Sequence, residues 1–336
     1  MKFKLIEKIK NTGEFKVVKT NLYFVKNTEV FIYPLKEILK LDEYWGVTFE
    51  DQLIHVFTNR SFNTFYDYKG NKIRSFEKVN FYHIFSKDDF IYYDRSEKKS
   101  KYNSFTLFEG KIGLNHYNNN HLFFENELVI NNYSLLNKTF LWHFDLSQFA
   151  QWKNFEDKDR NYEVEQFVGV SGGCLYVLLS NFKLIALNVE TGELLHQLNL
   201  GDLFALEPRN WLSYSSKMHL DEVNNRIIWL TSATLLHIDL TDFNAKLIKD
   251  FFNVPIENLW RFKCSNYQDQ KLLFTAQYGR EGGDPDIVGI MNPDTGEILW
   301  QYQIPNTQGL YEAPQLANNQ LYVRSLDNNL YIFEKE

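Results

Sequence analysis

The chain has 336 residues, 44% of them hydrophobic and 17% aromatic, which is enough to bury a sizeable core. Seven prolines and 16 glycines are too few for a disordered or low-complexity protein. Against 36 basic residues stand 43 acidic ones, a net charge of −7 that argues against a nucleic-acid or anionic-membrane surface.

From the N-terminus, Lys2–Lys8 alternates apolar and charged residues, without the apolar run of a signal peptide. Strand pairs then recur to the end of the chain. Leu22–Val25 precedes Val30–Tyr33. Leu53–Phe57 precedes Phe62–Tyr68, a turn at Lys69-Gly70-Asn71 and Ile73–Phe76. Phe90–Tyr93 precedes Phe105–Phe108, then Glu109-Gly110 and Lys111–Leu114. Leu122–Phe124 precedes Leu128–Ile130. The stretch Ser147–Tyr162 is the most loop-like insertion. Beyond it come Leu175–Leu179 with Leu184–Leu187, Ile227–Leu230 with Leu235–Ile238, Leu272–Thr275 with Ile287–Met291, and Leu321–Val323 with Leu330–Phe333.

The hairpin starts are 31, 37 and 32 residues apart in the first part of the chain and 45 to 53 apart later. The later spacing is that of four-stranded propeller blades. The expected fold is therefore all-β: a single closed β-propeller domain over residues 1–336, with eight four-stranded blades. Seven is the alternative, if one tight early hairpin is a shortened or shared blade. The chain ends on a strand, so the N-terminal strand is expected to complete the last blade, closing the ring without an exposed edge.

One phrase returns within this rhythm. Ala186-Leu-Asn-Val-Glu-Thr-Gly-Glu-Leu-Leu-His-Gln-Leu198 is matched by Ile290-Met-Asn-Pro-Asp-Thr-Gly-Glu-Ile-Leu-Trp-Gln-Tyr302. Glycine tolerates positive φ, and the preceding acid and Thr can bond back to the turn, so the motif is structural. In these residues the chain resembles the PQQ-like β-propeller repeat, most specifically over 171–336. That resemblance implies a docking Trp between blades, matched by Trp300 and Trp142, with His196 as a packed surrogate. Quinoprotein dehydrogenases of that family use an adjacent disulfide pair, calcium and a catalytic Asp. Cys174 and Cys264 are not adjacent, so the resemblance implies fold and leaves function open.

The eight histidines show no metal-ligand spacing; His116 and His121 merely flank a turn. Glu281, Asp284 and Asp286 could meet calcium in a long loop, but their spacing does not match a calcium loop. No nucleophile elbow, P-loop or dinucleotide fingerprint occurs. Neither cofactor nor metal is expected, and each cysteine reads as a small buried residue of a reducing cytoplasm. The sequons at Asn59, Asn132 and Asn137 are then accidental. What stands out is aromatic–arginine pairing between the C-terminal repeats: Arg209 with Trp211 and Tyr214, Trp260 with Arg261, Tyr278 with Arg280. Trp, Tyr and Arg dominate protein interfaces. The expectation is a cytoplasmic, non-catalytic propeller that binds a protein partner through one loop face, as a scaffold or a toxin-neutralising protein. No nucleic-acid or membrane partner is expected. The alternative is a propeller that binds a small molecule or sugar, or hydrolyses one, in its axial pocket.

Overall fold

The computed structural model describes residues 1–336 apart from 35, 42, 43, 60, 61, 155, 205–216, 252–259, 279–285, 306, 308 and 311. The strands form eight four-stranded antiparallel sheets, the blades of an all-β propeller. The chain makes two compact units, residues 1–111 with 307–336 and residues 112–306. Unit 1 carries blades I (12–40), II (46–77), III (79–109) and VIII (315–335 with the strand Phe3–Lys10). Unit 2 carries blades IV (115–145), V (164–199), VI (218–250) and VII (260–304).

Where the middle strands of a blade are buried on both faces, they read as largely apolar runs. Cys174–Leu179 and Asp286–Met291 are of this kind. Outer strands are largely solvated, and Lys72–Glu77 is exposed at five of its six residues. The cores accordingly lie as layers between successive blades. Phe123, Ile130 and Trp142 of blade IV meet Leu175, Val177 and Leu187 of blade V. In unit 1, Phe15, Leu22 and Phe24 of blade I meet Tyr322, Leu330 and Ile332 of blade VIII. Every blade has one register shift between its third and fourth strands. Such bulges strengthen local twist and blunt an outer edge against pairing with another chain.

Blade VIII joins the two ends of the chain as expected. Phe3–Lys10 runs antiparallel to Asn329–Lys335, with Phe3 opposite Lys335 and Lys10 opposite Asn329. The seven-blade alternative fails because the closely spaced early hairpins still belong to complete blades. Their strands shorten to as few as four residues, as in Glu29–Ile32 and Gly46–Phe49. Two expected details are corrected. Phe90–Tyr93 does not pair with Phe105–Phe108, because Lys99–Tyr102 lies between them. Residues 111–114 form no strand, and blade IV begins at Asn115. The insertion after blade IV contains a short ribbon, Trp152–Lys153 against Asp159–Arg160.

Candidate functional site

The Thr-Gly phrase builds the same turn twice. In blade V, Asn188 Oδ1 accepts from Glu190 N at 2.8 Å and Thr191 N at 3.0 Å, and Gly192 N donates to Asn188 O at 2.9 Å. In blade VII, Asn292 Oδ1 accepts from Asp294 N at 2.8 Å, and Gly296 N donates to Asn292 O at 2.9 Å. The bonding side chains are the Asn and the Thr; the acid is not among them. Gly192 has φ +73° and faces Trp142 of blade IV so closely that an added Cβ would lie 2.6 Å from its ring. Trp142 Nε1 donates to Val189 O at 2.6 Å, and Asn132 Nδ2 donates to the same oxygen at 2.9 Å. This is the docking Trp that the resemblance implied. His196 takes the corresponding place against Phe243, ring centroids 5.1 Å apart, but its ring is exposed rather than packed away. Asn132, part of a sequon, is fully buried.

Among the clefts that such scaffolding does not absorb is one of about 540 Å³ in unit 1, where Lys16, Glu50, Glu312 and Arg324 carry charges of both signs; two others are more distinctive. The first is a cleft of about 440 Å³ in unit 1, lined by Trp45, His55, Phe57, Asn63, Val79, Asn80, Phe81 and Arg95. Trp45 sits in the connection that enters blade II and is 64% exposed. Its N–H donates to Phe57 O at 2.8 Å. The next residue is a glycine against an aromatic ring: a Cβ on Gly46 would stand 2.3 Å from the Phe57 ring, which would have to move. The floor is rigid. Asn63 Nδ2 donates to Val79 O at 3.0 Å, which turns its Oδ1 toward His55 Nε2 at 2.8 Å. His55 therefore donates from Nε2 and accepts at Nδ1 from the Thr48 hydroxyl at 3.2 Å. Burial pushes its pKa below the ordinary imidazole value, although the Asn63 bond works the other way. Arg95 is held by a hydrogen bond to Asn80 Oδ1, which uses one of the five guanidinium donors. Among the described residues it is the only charged one in the cleft lining.

The second surface is a cleft of about 390 Å³ on the first strands of unit 2. It draws His116 and Asn118 from blade IV, Gln166 and Gly169 from blade V, His219 from blade VI and Tyr267 from blade VII, with Lys217 and Glu222 flanking. Gln166 ties two first strands together, accepting from Met218 N at 2.9 Å and donating to Met218 O at 2.8 Å. In unit 1, Gln315 Oε1 likewise accepts from Val17 N at 2.9 Å. His219 Nε2 lies 2.9 Å from Ser265 Oγ. Burial and the nearby Lys217 ammonium lower its pKa to about 4, so the ring is neutral at pH 7. Burial and the Asp221 carboxylate raise the Tyr267 hydroxyl to about 12.

Of the residues picked out in the sequence, Arg209, Trp211, Tyr214 and Arg280 lie outside the described residues, as do Glu281 and Asp284. Trp260 and Tyr278 are register partners at the ends of the first two strands of blade VII, and Arg261 is the partner of Gln277. Asp286 is 3% exposed; it accepts from Gln277 Nε2 at 3.2 Å and lies 3.6 Å from Lys263 Nζ. That cation occupies the charge a calcium ion would need. Among the described residues no cluster of three or more His, Cys, Asp or Glu is placed to hold a metal. Cys174 and Cys264 are free thiols, partly rather than fully buried. Neither cleft was found from the sequence. Tyr44-Trp45-Gly46 at a blade junction was the one available signal for the first.

No protein-family model matches this chain, and neither does any curated protein. Among solved structures, the computationally designed Ika8 protein aligns with a TM-score of 0.61 at 9% identity, over 97% of this chain and 96% of that one. The WD40 β-propeller domain of Doa1 aligns with a TM-score of 0.52 at 9% identity, over 100% of this chain and 97% of that one. BamB from Moraxella catarrhalis aligns over 100% of this chain and 98% of its own at 10% identity, with a TM-score of 0.46 that carries no argument. Likeness at such identities speaks to the propeller fold and to nothing finer. Among the described residues, no helix is long and apolar enough to cross a membrane.

Proposed function

We propose that this propeller is a non-catalytic binding module of the cytoplasm, holding a protein partner at the connections that enter its blades and link their second and third strands. The observation that carries this is Trp45, 64% exposed on the rim of a cleft in which Arg95 is the single charge among the described lining residues. Large exposed aromatics beside a fixed guanidinium have the chemistry of interface hot spots. The partner segment that fits is an aromatic or aliphatic anchor beside a carboxylate. On a chain of net charge −7, one cationic cleft selects for local negative charge rather than for acidic proteins at large.

Trp260, Arg261 and Tyr278 lie at the ends of the first two strands of blade VII rather than in its connections; Arg209, Trp211, Tyr214 and Arg280 lie outside the described residues. They are proposed as further contacts on unit 2. The two free thiols support a reducing compartment. The repeated Asn–Thr–Gly turn supports a relationship to PQQ-like repeats.

The test is affinity capture from native lysate with the wild-type chain, Trp45→Ala and Arg95→Ala as parallel baits of matched melting temperature. A stoichiometric protein held by the wild type and lost from both variants is the expected result. Identical capture by all three would end the assignment.

A further inference from the structure

The cleft on the first strands of unit 2 is independent of that reading and has a different chemistry. It is polar where the Trp45 cleft is aromatic. Four blades converge on it, and at its floor Gly169 (φ +152°) contributes no side chain, where a Cβ would lie 3.0 Å from Leu220. Its volume of about 390 Å³ is that of a small-molecule site. The charged and titratable groups facing it are His116 from blade IV, Lys217, His219 and Glu222 around the first strand of blade VI, and Tyr267 from blade VII. Asn118 adds a neutral hydrogen-bonding group, the Tyr267 hydroxyl is turned toward Asp221, and among the described residues Glu222 is the one carboxylate of the lining.

We infer that this cleft binds a small hydroxylated carboxylate, its anionic end between Lys217 and His219 and its hydroxyls toward Asn118 and Glu222. Lys217 supplies a standing positive charge. His219 reaches the cleft from a strand and is already oriented by Ser265, 2.9 Å away. A bound carboxylate would favour the imidazolium that Lys217 and burial now oppose, so binding takes up a proton and strengthens as pH falls. Glu222 is placed to accept from a hydroxyl and would repel a second carboxylate, which separates a monoanionic polyol from a dicarboxylate.

The experiment is calorimetric titration of the full chain with gluconate, and with sorbitol as the uncharged polyol, at about pH 7.5 and about pH 6. Gluconate is expected to bind at least roughly tenfold more tightly than sorbitol, and several-fold more tightly at the lower pH, where one linked proton allows about tenfold per pH unit. Lys217→Ala, at an exposed position, is expected to fold normally and lose most of the affinity. His219→Gln keeps a hydrogen-bonding side chain for Ser265 and is expected to lose the pH dependence. Arg95→Ala, in unit 1, leaves gluconate binding unchanged, so failure here is distinct from failure of the partner assignment. Absence of binding at about 10 mM gluconate, equal binding of sorbitol, or binding indifferent to both Lys217→Ala and His219→Gln would overturn the inference.

Discussion

The docking of Trp142 onto the next blade is open to a double-mutant cycle with Gly192. Trp142 is 7% exposed and donates to Val189 O at 2.6 Å. Trp142→Ala removes a large buried side chain at about 3–5 kcal/mol. It does not orphan the carbonyl, because Asn132 Nδ2 still donates to it at 2.9 Å. Gly192→Ala costs about 1 kcal/mol for forcing an L side chain to φ +73°. Its Cβ would also stand 2.6 Å from Cδ2 of Trp142 and 2.8 Å from Cγ, displacing the ring for a further 1–3 kcal/mol or so. In the Trp142→Ala background that clash vanishes and only the backbone cost remains. Denaturant midpoints followed by far-ultraviolet circular dichroism, which does not depend on the lost indole, should give a coupling of about 1–3 kcal/mol. Additivity within about 0.5 kcal/mol would show that the indole and the turn do not meet as described.

Three further outcomes are expected. Deleting residues 1–10 strips the outer strand from blade VIII, exposing the edge Asn329–Lys335 and losing the buried Phe3 and Ile9. At about 1.5–3 kcal/mol per side chain, the melting temperature should fall by roughly 4–9 °C, and an unchanged melt would refute the closure. Gly46→Ala should displace Phe57 and cost about 1–3 kcal/mol; a variant as stable as wild type would place the ring elsewhere. For pH, His219 falls from 6.5 to about 4 on folding, so below about pH 6.5 the unfolded chain binds more protons. Stability is therefore full above that range and declines by roughly 3 kcal/mol toward pH 4, with buried His55 acting in the same direction. Denaturation midpoints between about pH 7 and pH 4 should show the decline, and His219→Gln should reduce it.

The middle strands were legible because burial on both faces leaves an apolar run, as in Leu175–Leu179. The Asn–Thr–Gly turn was legible because its bonds are local: Asn188 reaches residues two and three places ahead. Lys99–Tyr102 was missed because Lys-Ser-Lys-Tyr looks like surface. In fact Ser100 and Lys101 are buried, and Asp94, 3.1 Å away, neutralises Lys101 together with Glu97. Apart from Tyr44-Trp45-Gly46, nothing in the chain pointed to the two clefts. Trp45, His55, Asn80 and Arg95 come from two blades, and His116, Gln166, His219 and Tyr267 from four. No linear spacing encodes which side chains the first strands of separate blades turn toward one another. Trp and Arg stand out in the C-terminal repeats, where the repeat is clearest, but Trp260 and Arg261 open a blade strand rather than a connection. The same pair of residue types does not stand out in unit 1, where only hairpin rhythm remains.

The most direct measurement is the affinity of the purified captured partner for wild type, Trp45→Ala, Arg95→Ala and the double variant, each checked for an unchanged melt. We expect each single change to weaken binding at least roughly tenfold, about 1.4 kcal/mol, and the double change to abolish it. Four affinities within about twofold of one another would contradict the assignment of the Trp45–Arg95 cleft as the binding site.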